Sequence, residues 1–342
     1  MLEVSGLTVE YAASRPVRAV DNVSFSVASG EFLGIVGESG CGKSTLLFAI
    51  AQLLTPPAEV TAGSVTFDGS NLVTMTQRQL SAIRWRDLSV VMQSAMNALN
   101  PVKSIGAQFA DALRAHGRPS RQEVADRSAE VLRLVGIDPV HLRSYPHQLS
   151  GGMRQRAMIA MALLFTPDLV IMDEPTSALD VVAQRSLMTQ IKELQASLGF
   201  AIIFVTHDMS LVSHFSDRLL VMYAGQIAEI GDTRRVFGQP LHPYSRGLLE
   251  AFPGIRGLRV PLTGIPGAPP DLSVSRAGCR FEPRCAARMP QCGTTAPDLV
   301  SRDGSDVRCL LYAGSGTEAT MDAASADAST STDASTNAGT AQ

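Results

Sequence analysis

The sequence predicts an α/β protein built on a mainly parallel sheet with crossover helices. Three observations carry this. Near-continuous apolar runs, "EFLGIV" (31–36), "LVIM" (169–172) and "AIIFVT" (201–206), read as strands buried on both faces. Helical stretches separate them, the order expected of a parallel sheet. A glycine-rich turn joins the first of these strands to a helix.

The 342 residues suffice for a core plus additions, and the composition is ordinary for a globular protein, 45% hydrophobic and 18% charged. A net charge of −3 gives no argument for nucleic-acid binding. The longest apolar run, "AMIAMALLF", falls far short of the ~18–20 residues of a membrane span. The opening "MLEVSGLTVEY" alternates like a strand and does not resemble a signal peptide, so a cytosolic location is expected and disulfides are disfavoured.

In chain order, "LEVSGLTVEY", "NVSFSV" and "GSVTFDG" alternate apolar and polar and predict an antiparallel group of strands beside the parallel sheet. "STLLFAIAQLL" places Leu46, Leu47, Ile50, Leu53 and Leu54 at helical spacing and is expected to stop at Pro56 and Pro57. Residues from about 104 to 148 read as helical. Ser120 and Glu123 form a capping-box pattern there, and Val124, Val131, Leu132 and Val135 share one face ahead of Gly136 and Pro139. "PLTGIPGAPPDL" reads as a linker. From Ala313 the tail is Ala, Ser, Thr and Asp, with four acidic residues and no basic ones, and is expected to be disordered. There is no internal repeat.

"GESGCGKST" (37–45) fits G-x-x-x-x-G-K-[ST], the phosphate-binding loop of nucleoside triphosphatases, in the strand–loop–helix context that gives the motif its meaning. Gly37, Gly40 and Gly42 permit close backbone approach to phosphates, and the residues between them, Ser39 and Cys41, supply further N–H groups to the nest. Lys43 is expected to neutralise β/γ-phosphate charge, Ser44 to offer its hydroxyl to Mg²⁺, and Thr45 to add a polar contact. "LVIMDE" puts Asp173 and Glu174 at the carboxyl end of a buried strand, where open parallel sheets bind ligands. Asp173 suits the Mg²⁺ shell and Glu174 suits water activation.

With "LSGGMRQR" (149–156), "LVIMDEPTSALD" and His207 in "VTHD", these motifs resemble the ATP-binding-cassette ATPases over roughly residues 1–250. The resemblance implies a RecA-like core with an antiparallel β subdomain and an α-helical signature subdomain at about 94–160. It implies further roles: Tyr11 stacks on adenine; Gln93 in "VVMQSAMNALNP" touches the Mg²⁺ and water site and senses the membrane partner; Asp180 lies in the loop crossing a dimer interface; His207 reaches the γ-phosphate. Ser150 is a natural N-cap, and with Gly151 and Gly152 it presents a helix's positive end to the γ-phosphate held by a second subunit. Met153 stands where the family commonly has glutamine, as in its peptide-importer branch.

"GCRFEPRCAARMPQC" (278–292) and Cys309 place four thiols at C-x5-C-x6-C-x16-C. In a cytosolic chain this argues for a metal site, although structural zinc favours tighter pairs; an iron–sulfur cluster, zinc, and unligated thiols or disulfides stay open. Arg280, Arg284 and Arg288, interleaved with the thiols, are expected to offset the charge of a thiolate-ligated cluster. "HPYSRGLLEAFP" (242–253) followed by this run is similar to the C-terminal extension of oligopeptide/dipeptide importer ATPases, some of which carry a [4Fe–4S] cluster on Cys279, Cys285, Cys292 and Cys309 equivalents.

The expectation is therefore a cassette at 1–250, an extension with a four-cysteine site at 251–312, and a disordered tail at 313–342. The resemblance implies an ATP- and Mg²⁺-dependent subunit, peripheral on the cytoplasmic face of the cell membrane. Its partners would be a second, paralogous ATPase, two permease subunits and an extracytoplasmic binding protein, with no nucleic acid. Peptides are the expected cargo, with nickel, oligosaccharide, or a non-transport cassette function as alternatives.

Overall fold

The computed structural model describes residues 1–93, 98–176, 179–251, 264–274 and 276–313. The acidic tail beyond 313 and the first part of the predicted linker lie outside these residues, as do residues 94–97, 177 and 178.

Strands β1 (Leu2–Tyr11) and β2 (Val17–Val27) form an antiparallel pair, and β3 (Phe32–Val36) starts the central sheet. Helix α1 (Lys43–Ile50) leads to β4 (Ala58–Phe67) and β5 (Ser70–Asn71), which extend the first sheet in the order β2-β1-β4-β5. Next come α2 (Gln77–Ile83), β6 (Leu88–Val91), α3 (Ile105–Ala115), α4 (Arg121–Leu134) and α5 (Gly151–Ala162). They are followed by β7 (Leu169–Asp173), α6 (Val181–Leu198), β8 (Ala201–Val205), α7 (Met209–Phe215), β9 (Arg218–Tyr223) and β10 (Gln226–Asp232). Helices α8 (Thr233–Gly238) and α9 (Pro243–Glu250) and strands β11 (Val300–Arg302) and β12 (Ser305–Val307) complete the elements.

The large sheet has the order β11-β12-β10-β9-β3-β8-β7-β6. Strands β9, β3, β8, β7 and β6 run parallel, as their unbroken apolar character requires, and β10, β12 and β11 are antiparallel. Alternation along each buried strand divides the core in two. Phe32, Val36, Val170, Met172, Ile202 and Phe204 face the helices α3–α7. Leu33, Ile35, Leu169, Ile171, Ile203 and Val205 face α1 and the antiparallel sheet.

Two expectations need correction. Helix α1 ends before its prolines. The Gln52 N–H donates to Ala49 O (3.2 Å) and the Leu53 N–H to Phe48 O (2.8 Å), with Gln52 at φ +54°: a left-handed reversal that satisfies the last carbonyls. Leu53 and Leu54 pack on the core from beyond the helix. The run at 104–148 is two helices and short 3-10 turns, broken around Gly117–Pro119. The capping box is present as expected: the Ser120 N–H donates to Glu123 Oε2 (2.7 Å) and the Glu123 N–H to Ser120 Oγ (3.2 Å). Val124, Val131, Leu132 and Val135 are all buried.

Beyond α9, the hairpin β11–β12 pairs through β12 with the edge of β10, so the extension continues the central sheet. Its turn, Asp303-Gly304, has both residues at positive φ (+48° and +80°), the geometry that Asp-Gly favours between two strands.

Candidate active site

The parallel strands β3, β7 and β8 end side by side, and the motif residues sit on the loops that leave them. The phosphate loop leaves β3 and closes onto α1. Gly42 caps that helix at φ +103°, and a Cβ there would lie 2.1 Å from Ala19 O; at Gly37 it would lie 2.1 Å from Met222 O. The loop's backbone therefore passes where no side chain fits. Lys43 is buried, with Nζ donating to Gly37 O (2.8 Å) and Glu38 O (3.0 Å) inside the loop. Ser39 and Gly40 are exposed on its rim. Cys41 is buried in the core, and burial pushes its thiol up, so it acts as a packed spacer whose carbonyl accepts from the Gly225 N–H (2.8 Å). Tyr11 brings its hydroxyl 3.1 Å from Thr45 Oγ1, which places the ring beside the first turn of α1.

Asp173 closes β7 almost fully buried. Its carboxyl is pushed up by burial, an effect opposed by a hydrogen bond with Ser44, and Oδ1 has no hydrogen-bond partner. A buried carboxylate oxygen without a partner beside a serine hydroxyl fits a divalent cation held by Ser44 and Asp173.

Glu174 is the next residue and takes φ +45°, a strained conformation for a glutamate. Its N–H is fixed to Val205 O on β8 (2.9 Å). The carboxylate then meets two residues from distant segments: Gln93 Nε2 donates to Oε2 (2.8 Å), and His207 Nδ1 lies 3.4 Å from Oε1. Three of the residues singled out in the sequence thus converge on one carboxylate.

Ser150 caps α5, its Oγ accepting from the Met153 N–H (3.3 Å), with Gly151 and Gly152 in the first turn. Asp180 caps α6, accepting from the Ala183 N–H (2.8 Å). Among the described residues no hydrogen bond or ion pair joins either cap to the phosphate loop of the same chain.

The extension contacts the site through residues whose roles the sequence did not reveal. Arg284 forms a two-pronged ion pair with Glu38 of the phosphate loop, and Arg280 donates to the Asp21 carboxylate and the Ala224 carbonyl. Arg288 lies 3.7 Å from Glu282. The expected role of these arginines in balancing thiolate charge is thus corrected: their partners are carboxylates and carbonyls. Buried Glu229 on β10 accepts from the Leu241 and His242 N–H groups (3.0 and 2.9 Å), which orients α9. Tyr244 of α9 then accepts the Glu38 N–H on its hydroxyl (2.9 Å). The motif "HPY" marks this helix in the sequence, but nothing local to it names a partner some 200 residues away.

The four cysteines of the extension are neighbours. Cys279 donates its N–H to Cys292 O (2.8 Å). Burial pushes the thiols of Cys279, Cys285 and Cys309 up, Cys309 to about 11, and the charges of the other cysteines add to the effect. All are free thiols, and among the described residues no group of three or more His, Cys, Asp or Glu is spaced to hold a metal ion. The geometry therefore does not support the expected metal centre, and it speaks most directly against zinc, which draws its thiolates in to about 2.3 Å.

A family model described as "ABC transporter" matches residues 20–177, and one described as "Oligopeptide/dipeptide transporter, C-terminal region" matches residues 228–292. The chain is 43% identical to the dipeptide transport ATP-binding protein DppD of Bacillus subtilis, over 91% of this chain and 94% of that protein. It is also 43% identical to the oligopeptide transport ATP-binding protein OppD of Salmonella typhimurium, over 87% of this chain and 89% of that protein. Among solved structures it is similar to the dimeric, post-hydrolysis state of the ATP-binding cassette MJ0796 bound to ADP and Pi, at 29% identity and a TM-score of 0.62. That match covers 68% of this chain and 99% of the other. Taken with the loop, the paired carboxylates and the capped signature helix, these likenesses show that the chain belongs to the ATP-binding subunits of the oligopeptide/dipeptide ABC transporter family.

Proposed function

We propose that this chain hydrolyses ATP to drive import of peptides across the cytoplasmic membrane, seated on the cytoplasmic face of a pair of permease subunits. The observation that carries the catalytic part is the Glu174 carboxylate, held between Gln93 and His207 directly after the Mg²⁺-suited Asp173. The cargo rests on the extension, which is of the oligopeptide/dipeptide type, and on relatives whose names specify dipeptide and oligopeptide transport. No helix among the described residues is long and apolar enough to cross a membrane, so the channel belongs to other subunits.

Lys43 sits inside the loop with its ammonium on two carbonyls, ready to transfer to phosphate oxygens when they enter. Ser44 and Asp173 hold the cation, and Mg²⁺, when bound, offsets charge on the β- and γ-phosphates. Glu174 takes a proton from water lined up with the γ-phosphate, and Gln93 and His207 fix its orientation. Tyr11, beside Thr45, is placed to flank the adenine. Ser150, Gly151, Gly152 and Asp180 face a second cassette, which explains why they are capped and exposed yet make no bond to their own phosphate loop. The dimeric state of the similar cassette MJ0796 supports closure of two such chains around nucleotide. A paralogous second ATPase and an extracytoplasmic binding protein complete the proposed assembly.

For the four cysteines we keep a [4Fe–4S] cluster as a proposal. Its sulfur ligands stand wider apart than those of a single ion, which accords with thiols that neighbour one another without the spacing of a mononuclear site. Iron and sulfide analysis of anaerobically purified protein decides it: about four irons per chain supports the cluster, and an iron-free, colourless protein overturns it.

Purification of the chain with its neighbouring subunits, followed by reconstitution in vesicles, tests the function. Stimulation of ATP hydrolysis by di- or oligopeptides in the presence of the binding protein is expected. Stimulation by nickel or oligosaccharides alone, or recovery on ribosomes or DNA in place of permeases, overturns the peptide reading.

A further inference from the structure

Position 38 is a free position of the phosphate-loop motif, and nothing in the motif calls for an acid there. A bare carboxylate in a loop built to receive a polyphosphate opposes binding by like-charge repulsion. The chain answers this from far downstream. Arg284 Nη1 donates to Glu38 Oε2 (2.6 Å) and Nη2 to Oε1 (2.8 Å), the paired geometry that guanidinium and carboxylate favour. The Arg284 side chain is 5% exposed and that of Glu38 25%. Arg284 is itself aimed by the Pro266 carbonyl (2.8 Å from Nε) and the Tyr223 hydroxyl (3.3 Å from Nη1).

The Glu38 backbone is held as well. Its N–H goes to Tyr244 and its carbonyl receives Lys43 Nζ and the Cys41 N–H. Tyr223, Tyr244 and Phe281 pack together with ring centroids 4.5–5.4 Å apart and fill the space between the loop and the cysteine-bearing turn. The residue that neutralises the loop's acid thus sits between Cys279 and Cys285, in a segment outside the cassette.

We propose that Arg284 is a positioning residue for ATP: through its two-pronged bond it neutralises and fixes Glu38, so the extension sets the affinity of the phosphate loop for triphosphate. Arg284 acts through Glu38 and does not itself touch nucleotide. The inference rests on ATP binding at this loop.

The test titrates a nonhydrolysable ATP analogue with an imido bridge, plus Mg²⁺, onto the full-length chain and its variants, with thermal melts of each. Arg284→Met leaves the Glu38 charge bare and is expected to weaken binding about 10-fold or more, as for loss of a charge-assisted bond. Adding Glu38→Gln removes the repulsion and is expected to restore affinity to within about threefold of the parent. In the assembled transporter, Arg284→Met is expected to raise KM for ATP by the same factor while kcat stays within about twofold, since uniform binding is lost and the chemical step is not. A merely structural role moves melting temperature without this rescue or this split. If Arg284→Met does not fold, Arg284→Lys, which donates from a single ammonium, takes its place and is expected to show a smaller loss that Glu38→Gln again reverses. Unchanged analogue affinity in the single variant, or a double variant no better than the single, overturns the inference. A parent chain that binds no analogue overturns it together with the ATPase reading.

Discussion

The central sheet and the cysteine-bearing extension are ordered by different means. In the sheet, five parallel strands bond backbone to backbone, and alternation along each strand sends one set of side chains to each core. In the extension only the β11–β12 hairpin is regular, and the rest is tied down by single side chains. Arg280 reaches the Asp21 carboxylate, Arg284 reaches Glu38, and Arg308 donates to Ile227 O (3.1 Å). The sheet holds a site in place by repetition, and each of its bonds is backed by neighbours. The extension holds by a few anchors, each of which matters singly.

The comparison can be broken or sharpened at several points. The largest effect belongs to the sheet's own loop: Lys43→Met removes the buried ammonium and is expected to weaken ATP binding about 10–100-fold, read by nucleotide titration, with little change in the melting temperature. Next is a pH effect confined to the extension's support. His242 is buried, and burial pushes it down to about 4 against a bond to the Arg308 backbone, while its Nδ1 accepts the Tyr244 N–H (2.9 Å). Neutral His242 is therefore the folded form. Because the unfolded chain takes up the proton first, stability is full above about pH 6.5 and falls as the pH drops towards about 4, by up to about 3 kcal/mol. Denaturant melts across that window, compared with His242→Gln, check it: the variant is expected to flatten the slope.

Gly278→Ala separates the two regions directly. A Cβ at 278 would lie 2.2 Å from Cys292 O, so the turn that brings Cys279 to Cys292 must open. The expected cost is about 1–3 kcal/mol, confined to the extension. Hydrogen exchange should rise in residues 276–313 while β3, β7 and β8 keep their protection; equal loss in both would mean the regions are one cooperative unit. The smallest effect is Ser120→Ala, which removes half of the α4 capping box and is expected to cost about 1 kcal/mol in a thermal melt without changing ATP binding.

The same contrast governs what could be read in advance. The phosphate loop, Asp173 and Glu174, and the caps at Ser120 and Ser150 depend on residues a few positions apart, so their chemistry is written locally. The convergence of Gln93 and His207 on Glu174 was legible only through resemblance, since 81 residues separate Gln93 from its partner. The Schellman ending of α1 was missed because Gln52 carries no glycine-like signal. The hairpin turn Asp303-Gly304 was an available signal that went unused beside the more conspicuous cysteines. Arg284 was misread because its nearest neighbours in sequence are thiols, whereas its partner in space lies 246 positions away. Side-chain anchors of that range have no period and no spacing to betray them.

The central claim is that Glu174, clasped by Gln93 and His207, activates water at this site. The direct measurement is phosphate release by the assembled transporter carrying Glu174→Gln, with bound ATP followed in the same sample. The account predicts that ATP stays bound while phosphate release falls by about 10²–10⁴-fold, the contribution of a positioned base. Release at the parent rate with nucleotide bound would contradict it.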